Sequence, residues 1–292
     1  GKVNWDSTIP LCSFDKVITN AIGIVQEIDL MSYDLQIDLA DLAPLFGIYI
    51  KTIVLVNNKS LTGNLAIFRT CTGLEKLYVG RTLITGNVSE LSSATALEHI
   101  FLNITAVTGD LSAFTNHKLK GLGLSETRVQ GDIALIAGQS ELTYLGLDRT
   151  LVSGNIENLK RMRGALRILI NDSACEGDIY ILQALKKLVV FGAENTGING
   201  DISVMKYCTD LTQLYLANCH AISGDIKFIG NCKKIQNVDM ANTSVTGDIF
   251  SLKDLKNLSV LTLQGCDVTG DTSSLPRTTI KMGSPIRILC TK

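Results

Sequence analysis

Seven aspartates recur at nearly constant intervals along this chain: Asp110, Asp132, Asp178, Asp201, Asp225, Asp248 and Asp271. Carried by neighbouring strands, they would stand about 5 Å apart. Such an oxygen-rich edge could hold a hard cation such as calcium. Three equivalent positions carry Asn64, Asn87 and Asn155 instead, and no second carboxylate recurs beside the first. Asp and Asn have a commoner use, which is to accept a backbone N–H where a helical turn begins. Capping is therefore the expected role, and no metal or cofactor is expected.

Other chemistry finds little footing. The three histidines, His99, His117 and His220, are not at metal-ligand spacing and do not accompany a nucleophile motif. A Ser–His–Asp set could still be assembled from distant residues, but no enzyme activity is expected. The eight cysteines are Cys12, Cys71, Cys175, Cys208, Cys219, Cys232, Cys266 and Cys290. They contain no CxxC pair, so zinc is not expected. Cys71, Cys208 and Cys232 share one position in the repeat described below and read as small buried hydrophobes. A Cys208–Cys232 disulfide between adjacent units is the alternative. Lys plus Arg total 27 and Asp plus Glu total 28. Without a basic excess, nucleic acid is not an expected partner. No apolar run approaches the 18 or so residues of a membrane span.

The elements that position these side chains follow from a repeat. Each of the ten Asp or Asn residues is preceded by glycine: Gly63, Gly86, Gly109, Gly131, Gly154, Gly177, Gly200, Gly224, Gly247 and Gly270. Seven of the nine intervals are 23 residues, one is 22 and one is 24. A fixed period in the twenties is the signature of a solenoid. Leucine-like residues fall twelve, nine and seven positions before the glycine, as in Leu74, Leu77 and Val79. The last two alternate with other residues, which marks a short strand with one buried face. After the glycine, apolar residues fall at spacings of three, as in Ile249, Leu252 and Leu255, which suits a 3₁₀ turn. Each unit reads as strand, tight turn and loosely helical return. No unit buries its apolar edge alone, so stability comes from stacking on neighbours.

Two columns are structural in this reading. The glycines take positive φ, or lack room for Cβ, at the corner. Thr82, Thr105, Thr127, Thr150, Thr196 and Thr243, with Ser173, Cys219 and Cys266 in other copies, follow the strand. A small donor–acceptor side chain there satisfies inward-pointing backbone groups, and stacked copies form a ladder.

The frame Leu-x-x-Leu-x-Leu-x-x-Thr-x-Val-x-Gly-Asp-Ile resembles the leucine-rich repeat (LRR), from about Val25 to Leu275. Copies such as Ala221-Ile222-Ser223-Gly224-Asp225-Ile226 resemble the plant-type loop Asn-x-Leu-Ser-Gly-x-Ile-Pro. The family's ladder Asn is replaced by the Thr column, and the Pro after Ile is absent. Bacterial surface proteins with degenerate repeats are the nearer resemblance. It implies an α/β fold: a right-handed LRR solenoid, with a parallel β-sheet on the concave face. The convex face would carry 3₁₀, short-helical and irregular segments, and both ends would be capped. It also implies a secreted or cell-surface location.

One domain is expected over 1–292. Residues 1–24 form an N-terminal helical cap, from the helical spacing of Phe14, Val17, Ile18, Ala21 and Ile22, with Gly23 ending it and Trp5 helping to cover the core. About eleven repeats occupy 25–275. Residues 276–292 form a C-terminal cap, in which Ile280, Met282, Ile286, Ile288 and Cys290 alternate as a hairpin.

In LRR proteins partners bind the outward residues of the concave sheet. One such column reads Leu55, Tyr78, Phe101, Gly123, Gly146, Leu169, Gly192, Tyr215, Asp239, Thr262. Two positions earlier, the other reads Ile53, Lys76, His99, Gly121, Tyr144, Arg167, Val190, Gln213, Asn237, Val260. Lys76, Tyr78, His99, Phe101, Tyr144, Arg167 and Tyr215 have the composition of a recognition surface, and the central glycines would open a trough. A protein partner is expected. A glycan stacked on the same aromatics is the alternative, favoured by Gln213, Asn237 and Asp239 near Tyr215. A structural spacer is the third reading.

Overall fold

The computed structural model describes residues 16–275, which fall into two compact units that part between Gly131 and Asp132. Trp5, Phe14, Cys12, Cys290 and the terminal hairpin lie outside the described residues.

The first unit opens differently from the expected helix. Val17–Thr19 is a strand paired antiparallel with Val25–Asp29. The connection is a turn built by Asn20, whose side-chain oxygen accepts from the N–H groups of Ile22 and Ile24 at 3.1 and 3.0 Å. Gly23, at φ +82°, is the turn's left-handed residue and not a helix end. Two hydrogen bonds from one side chain favour the reversal over continued helix. The added strand covers the exposed edge of Val25–Asp29.

The unit then repeats. The three-residue strands Thr52–Val54, Lys76–Tyr78, His99–Phe101 and Gly121–Gly123 pair in parallel and in register, each Cα opposite the one a repeat later. Their middle residues Ile53, Leu77, Ile100 and Leu122 are fully buried. The glycine stretch, read as a turn, is itself extended. Thr62–Asn64, Leu83–Asn87, Ala106–Asp110 and Arg128–Asp132 form a second parallel ladder. Short 3₁₀ segments follow, such as Val88–Leu91 and Leu111–Phe114. The second unit repeats the plan, with three-residue strands from Tyr144–Gly146 to Val260–Thr262, glycine strands from Leu151–Asn155 to Asp267–Thr269, and 3₁₀ returns from Ile133–Ile136 to Thr272–Ser274.

Three backbone devices hold each rung. The chain leaves the short strand through a residue at positive φ: Asn57, Arg81, Ile104 and Glu126 in the first unit, then Arg149, Asp172, Asn195, Asn218, Asn242 and Gly265. Asn and Gly suit this conformation; Ile104, branched at Cβ and at φ +57°, does not. The threonines then close the turn. Thr82, Thr127, Thr150 and Thr243 donate to the carbonyl three residues back at 2.6–2.8 Å. Thr105 and Thr196 do the same at 2.6 and 2.5 Å. These bonds lie within one rung. At this position the contacts between rungs come from Asn58, Cys219 and Cys266: Asn58 donates to the carbonyls of Leu30 and Leu55, both at 2.8 Å, and the thiols reach Ala193 and Met240 carbonyls at 2.9 and 3.0 Å.

The Asp and Asn side chains cap the returns. From Asn64 to Asp271 each accepts the N–H two residues on, at 2.7–2.9 Å. The next rung's glycine packs on the cap. At φ +104° to +137°, a Cβ on Gly86 would sit 2.7 Å from Asn64 Oδ1, and one on Gly131 would sit 2.7 Å from Asp110 Oδ2.

The core is a stack of Leu, Ile and Val, each burial worth about 1.5–3 kcal/mol. Cys71, Ala94 and His117 fill one interior position of the repeat in the first unit, and Gln139, Met162, Leu185, Cys208, Cys232 and Leu255 fill the same position in the second. Cys208 and Cys232 are free thiols, pushed up to about 12 by burial, which leaves little reactive thiolate.

Candidate functional site

In the first unit the outward residues of the short strands build an aromatic patch. Register places Lys76 beside His99 and Tyr78 beside Phe101. The Tyr78 and Phe101 rings stack, with centroids 5.2 Å apart and planes 17° from parallel. Tyr78 also lies 6.4 Å from the His99 ring at 25°. All three rings are half-buried, and Lys76 is exposed at the edge. The Lys51–Glu75 and Lys120–Glu98 ion pairs, at 3.0 and 2.8 Å, flank the strands.

The electrostatics keep the aromatic centre uncharged. Burial pushes the Tyr78 hydroxyl up. His99 is held below the usual histidine range, first by burial and then by Lys76, with Glu98 opposing. At neutral pH the patch presents a neutral phenol and a neutral imidazole beside one cation.

The expected trough at Gly121 and Gly123 is filled. A Cβ on Gly123 would come within 2.7 Å of Phe101 Cδ1, and one on Gly121 within 3.0 Å of both Phe101 Cε2 and His99 Nδ1. The Phe101 ring leans over the following strand, so these glycines make room for a neighbouring ring and leave no open cleft. Gly192, in the second unit, is covered likewise by the Asn171 amide at 2.9 Å and Leu169 Cδ2 at 3.0 Å. A further correction concerns the strand before Lys76–Tyr78. Thr52 and Val54, and not Ile53 and Leu55, stand in the outward columns; Ile53 and Leu55 are fully buried. The loop from Asn58 to Gly63, like that from Cys219 to Gly224, is one residue longer than its other counterparts, so counting back from the glycine slips the register and every side chain changes face.

In the second unit Tyr144 pairs with Arg167 on the next strand. Burial and Asp148 raise the Tyr144 hydroxyl, with Arg167 opposing. Tyr215 lies in the other column, two strands beyond Arg167, so it is not a neighbour of Tyr144. The larger feature of this unit was not found from sequence. At the ends of the short strands, Asp148 Oδ1 accepts from the backbone and side-chain N–H of Asn171 at 3.0 and 2.7 Å, and Asn171 Oδ1 accepts from Glu194 N at 2.8 Å. Burial, then Asp239, Asp172 and Asp148, push the Glu194 carboxyl up. One position on, the left-handed residues form a side-chain ladder. Asn242 donates to Asn218 at 2.7 Å, Asn218 to Asn195 and Asn195 to Asp172, both at 2.6 Å. The spacing of 23–24 residues was the available signal.

The other histidines are placed structurally. His117 is buried against Phe114, and His220 Nδ1 lies 2.8 Å from the Asn242 carbonyl. Among the described residues no three His, Cys, Asp or Glu side chains converge on a metal position, and no helix is long and apolar enough to cross a membrane.

The sequence matches no protein-family model and no curated protein. Solved structures do match. The Arabidopsis receptor kinase HAESA LRR ectodomain, in complex with a peptide hormone, superposes with a TM-score of 0.77 at 23% identity, over 90% of this chain and 46% of that one. This chain has the leucine-rich-repeat fold. An internalin from Listeria monocytogenes shares that fold at a TM-score of 0.56 and 17% identity, over 90% and 87% of the two chains. A plant ice-binding protein matches at 0.68 and 17%, over 91% and 81%. The LRR chain spans 28–50% of the length of six of the solved chains it matches, HAESA among them.

Proposed function

We propose that this LRR chain is a non-enzymatic binding module that engages a protein or peptide through the outward face of its three-residue strands. The observation that carries the reading is the stacked, half-exposed Tyr78–Phe101 pair with His99 beside it and Lys76 at its edge. Covering apolar surface is worth about 25 cal/mol per Å², and aromatic side chains on a rigid scaffold dominate binding energy when a partner covers them. In the second unit Tyr144, Arg167 and Tyr215 are the contact residues on the same face. Two of the matched structures are complexes of HAESA with a peptide hormone, a third is the peptide hormone receptor RGFR1 with RGF2, and a fourth is a receptor kinase ectodomain with Casparian strip integrity factor 2, which supports a peptide or protein partner. Ectodomain neighbours and an internalin support a secreted or cell-surface location, the latter on a bacterium. The unbroken period supports one repeat domain over 1–292.

The test is capture by the immobilised wild-type chain and a Tyr78→Ala/Phe101→Ala variant, both shown to be folded by circular dichroism. Envelope and host-surface extracts are applied untreated and deglycosylated. The proposal expects a protein held by the wild type, lost by the variant and indifferent to deglycosylation. Loss on deglycosylation would move the reading to a carbohydrate ligand. Equal capture by both proteins would overturn the site, and capture by neither would favour a spacer.

A further inference from the structure

The chain's net charge of −1 conceals a separation of charge in the second unit. From Ile156 onward, the five return segments (156–166, 179–189, 202–212, 226–236 and 249–259) carry eleven Lys and Arg against three acids, Glu157, Asp210 and Asp254. All eleven basic residues are exposed. Between residues 144 and 259, the strands and turns outside those segments carry nine acids against two bases, Arg149 and Arg167. The 3₁₀ segments of these rungs pack side by side in chain order, so the bases form one continuous field. Only two of them are ion-paired among the described residues, Lys227 with Asp225 and Lys234 with Asp210. The corresponding segments of the first unit have no such excess: residues 65–75, 88–98 and 111–120 carry three bases and three acids.

Aromatic rings stand in the same field. Tyr180, Phe250 and Tyr207 are 62%, 51% and 41% exposed. Lys253 Nζ lies 4.0 Å above the Phe250 ring and Lys206 Nζ 5.0 Å above Tyr207. The field has breadth as well as length. Its cations run from the first turn of the return (Lys227) to the residues just before the next strand (Lys187 and Lys234), while five rungs at about 5 Å each give about 20 Å along the stack. A linear polyanion would need one row. A broad field of lysines with projecting amphipathic rings fits a plane of negative headgroups with an apolar layer beneath. The acids on the strand side would turn that side away from such a plane.

We propose that the return-segment face of the second unit docks on an anionic lipid surface. Lysines lie against the headgroups, and Tyr180 and Phe250 reach the interface. This surface is separate from the aromatic patch of the first unit and does not depend on it.

The experiment is co-sedimentation of the full chain with vesicles of phosphatidylcholine alone or mixed with phosphatidylglycerol, at low and high salt. A Lys186→Glu/Lys187→Glu/Lys233→Glu/Lys253→Glu variant is compared with a control carrying the same change in net charge elsewhere, Lys59→Glu/Arg81→Glu/Lys118→Glu/Arg128→Glu. The proposal expects salt-sensitive binding to the anionic vesicles only. It expects partition to weaken by about tenfold or more in the first variant and to hold within about twofold in the control. A Tyr180→Ala/Phe250→Ala variant should lose the fraction that resists salt. Equal loss in both charge variants would overturn the proposal in favour of a net-charge effect. No preference for anionic vesicles, with soluble heparin still bound, would overturn it in favour of a linear polyanion.

Discussion

The ring of Phe101 lies between Tyr78 and Gly123: it stacks on the first at 5.2 Å and would collide with any side chain on the second, since a Cβ there would come within 2.7 Å of its Cδ1. The pair Tyr78–Phe101 is thus packed against the bare strand that follows it before any partner arrives. Packing matters because side chains already held in place lose less entropy on binding, where immobilising a free one costs about 0.5–1.5 kcal/mol.

If the stack is a direct interaction, removing either ring should cost the other its gain. A double-mutant cycle with Tyr78→Ala and Phe101→Ala, read by urea unfolding, is expected to show a coupling of about 0.5–1.5 kcal/mol. A coupling near zero would mean that the rings share an environment without supporting each other.

Filling the space under Phe101 should displace the ring. Gly123→Ala is expected to destabilise the fold by about 1–3 kcal/mol, because the added carbon meets Phe101 and the Asn103 amide, whose Nδ2 is 2.8 Å from it. Gly138→Ala, where nothing lies within 4 Å, is expected to stay within about 0.5 kcal/mol. Thermal melts of the two variants make the comparison, and the Gly123 variant should also lose any ligand held by the patch.

His117 gives the fold an acid sensitivity. It is buried in the core column, and neither ring nitrogen has a hydrogen-bond partner. Burial therefore holds it below the ordinary value of 6.5, with the backbones of Leu91, Ala94 and Phe114 opposing. The unfolded chain takes up this proton near pH 6.5 while the folded chain resists it. Stability is thus fully present above that pH and declines as pH falls through it, by at most about 1.4 kcal/mol per unit, until the folded ring also titrates. Urea midpoints from neutral to mildly acidic pH should fall less steeply for His117→Leu than for the wild type. Parallel slopes would show that the ring is not the sensor.

Much of the architecture was legible because the backbone demands it. A glycine at φ above +100° in ten successive rungs, with a capping Asp or Asn after it, leaves a mark that no tertiary context erases. What was missed has physical causes. The glycine strand reads as a turn because Gly and Asp are poor strand formers, and parallel pairing to the next rung overrides that preference. Val17–Thr19 has helical spacing, but Asn20 supplies a turn that spacing does not register. The one-residue slip between Asn58 and Gly63 hid Asn58, which occupies the threonine position and bonds across rungs. The direction in which Phe101 leans is a rotamer, and periodicity is silent about it; hence glycines read as a trough prove to be covered. The basic field leaves no mark on the composition because its charge cancels in the total.

The central claim is that a protein partner covers the Tyr78–Phe101 face, and site-specific photocrosslinking tests it most directly. A photoreactive phenylalanine analogue is placed at position 101, and separately at position 128 on the glycine-strand ladder of the same unit, where Arg128 is exposed. Both proteins are irradiated in the extracts that yield a captured ligand. The account predicts a discrete adduct of one protein from position 101 and none from position 128. An adduct from position 128 alone, or equal yields from both, would contradict it.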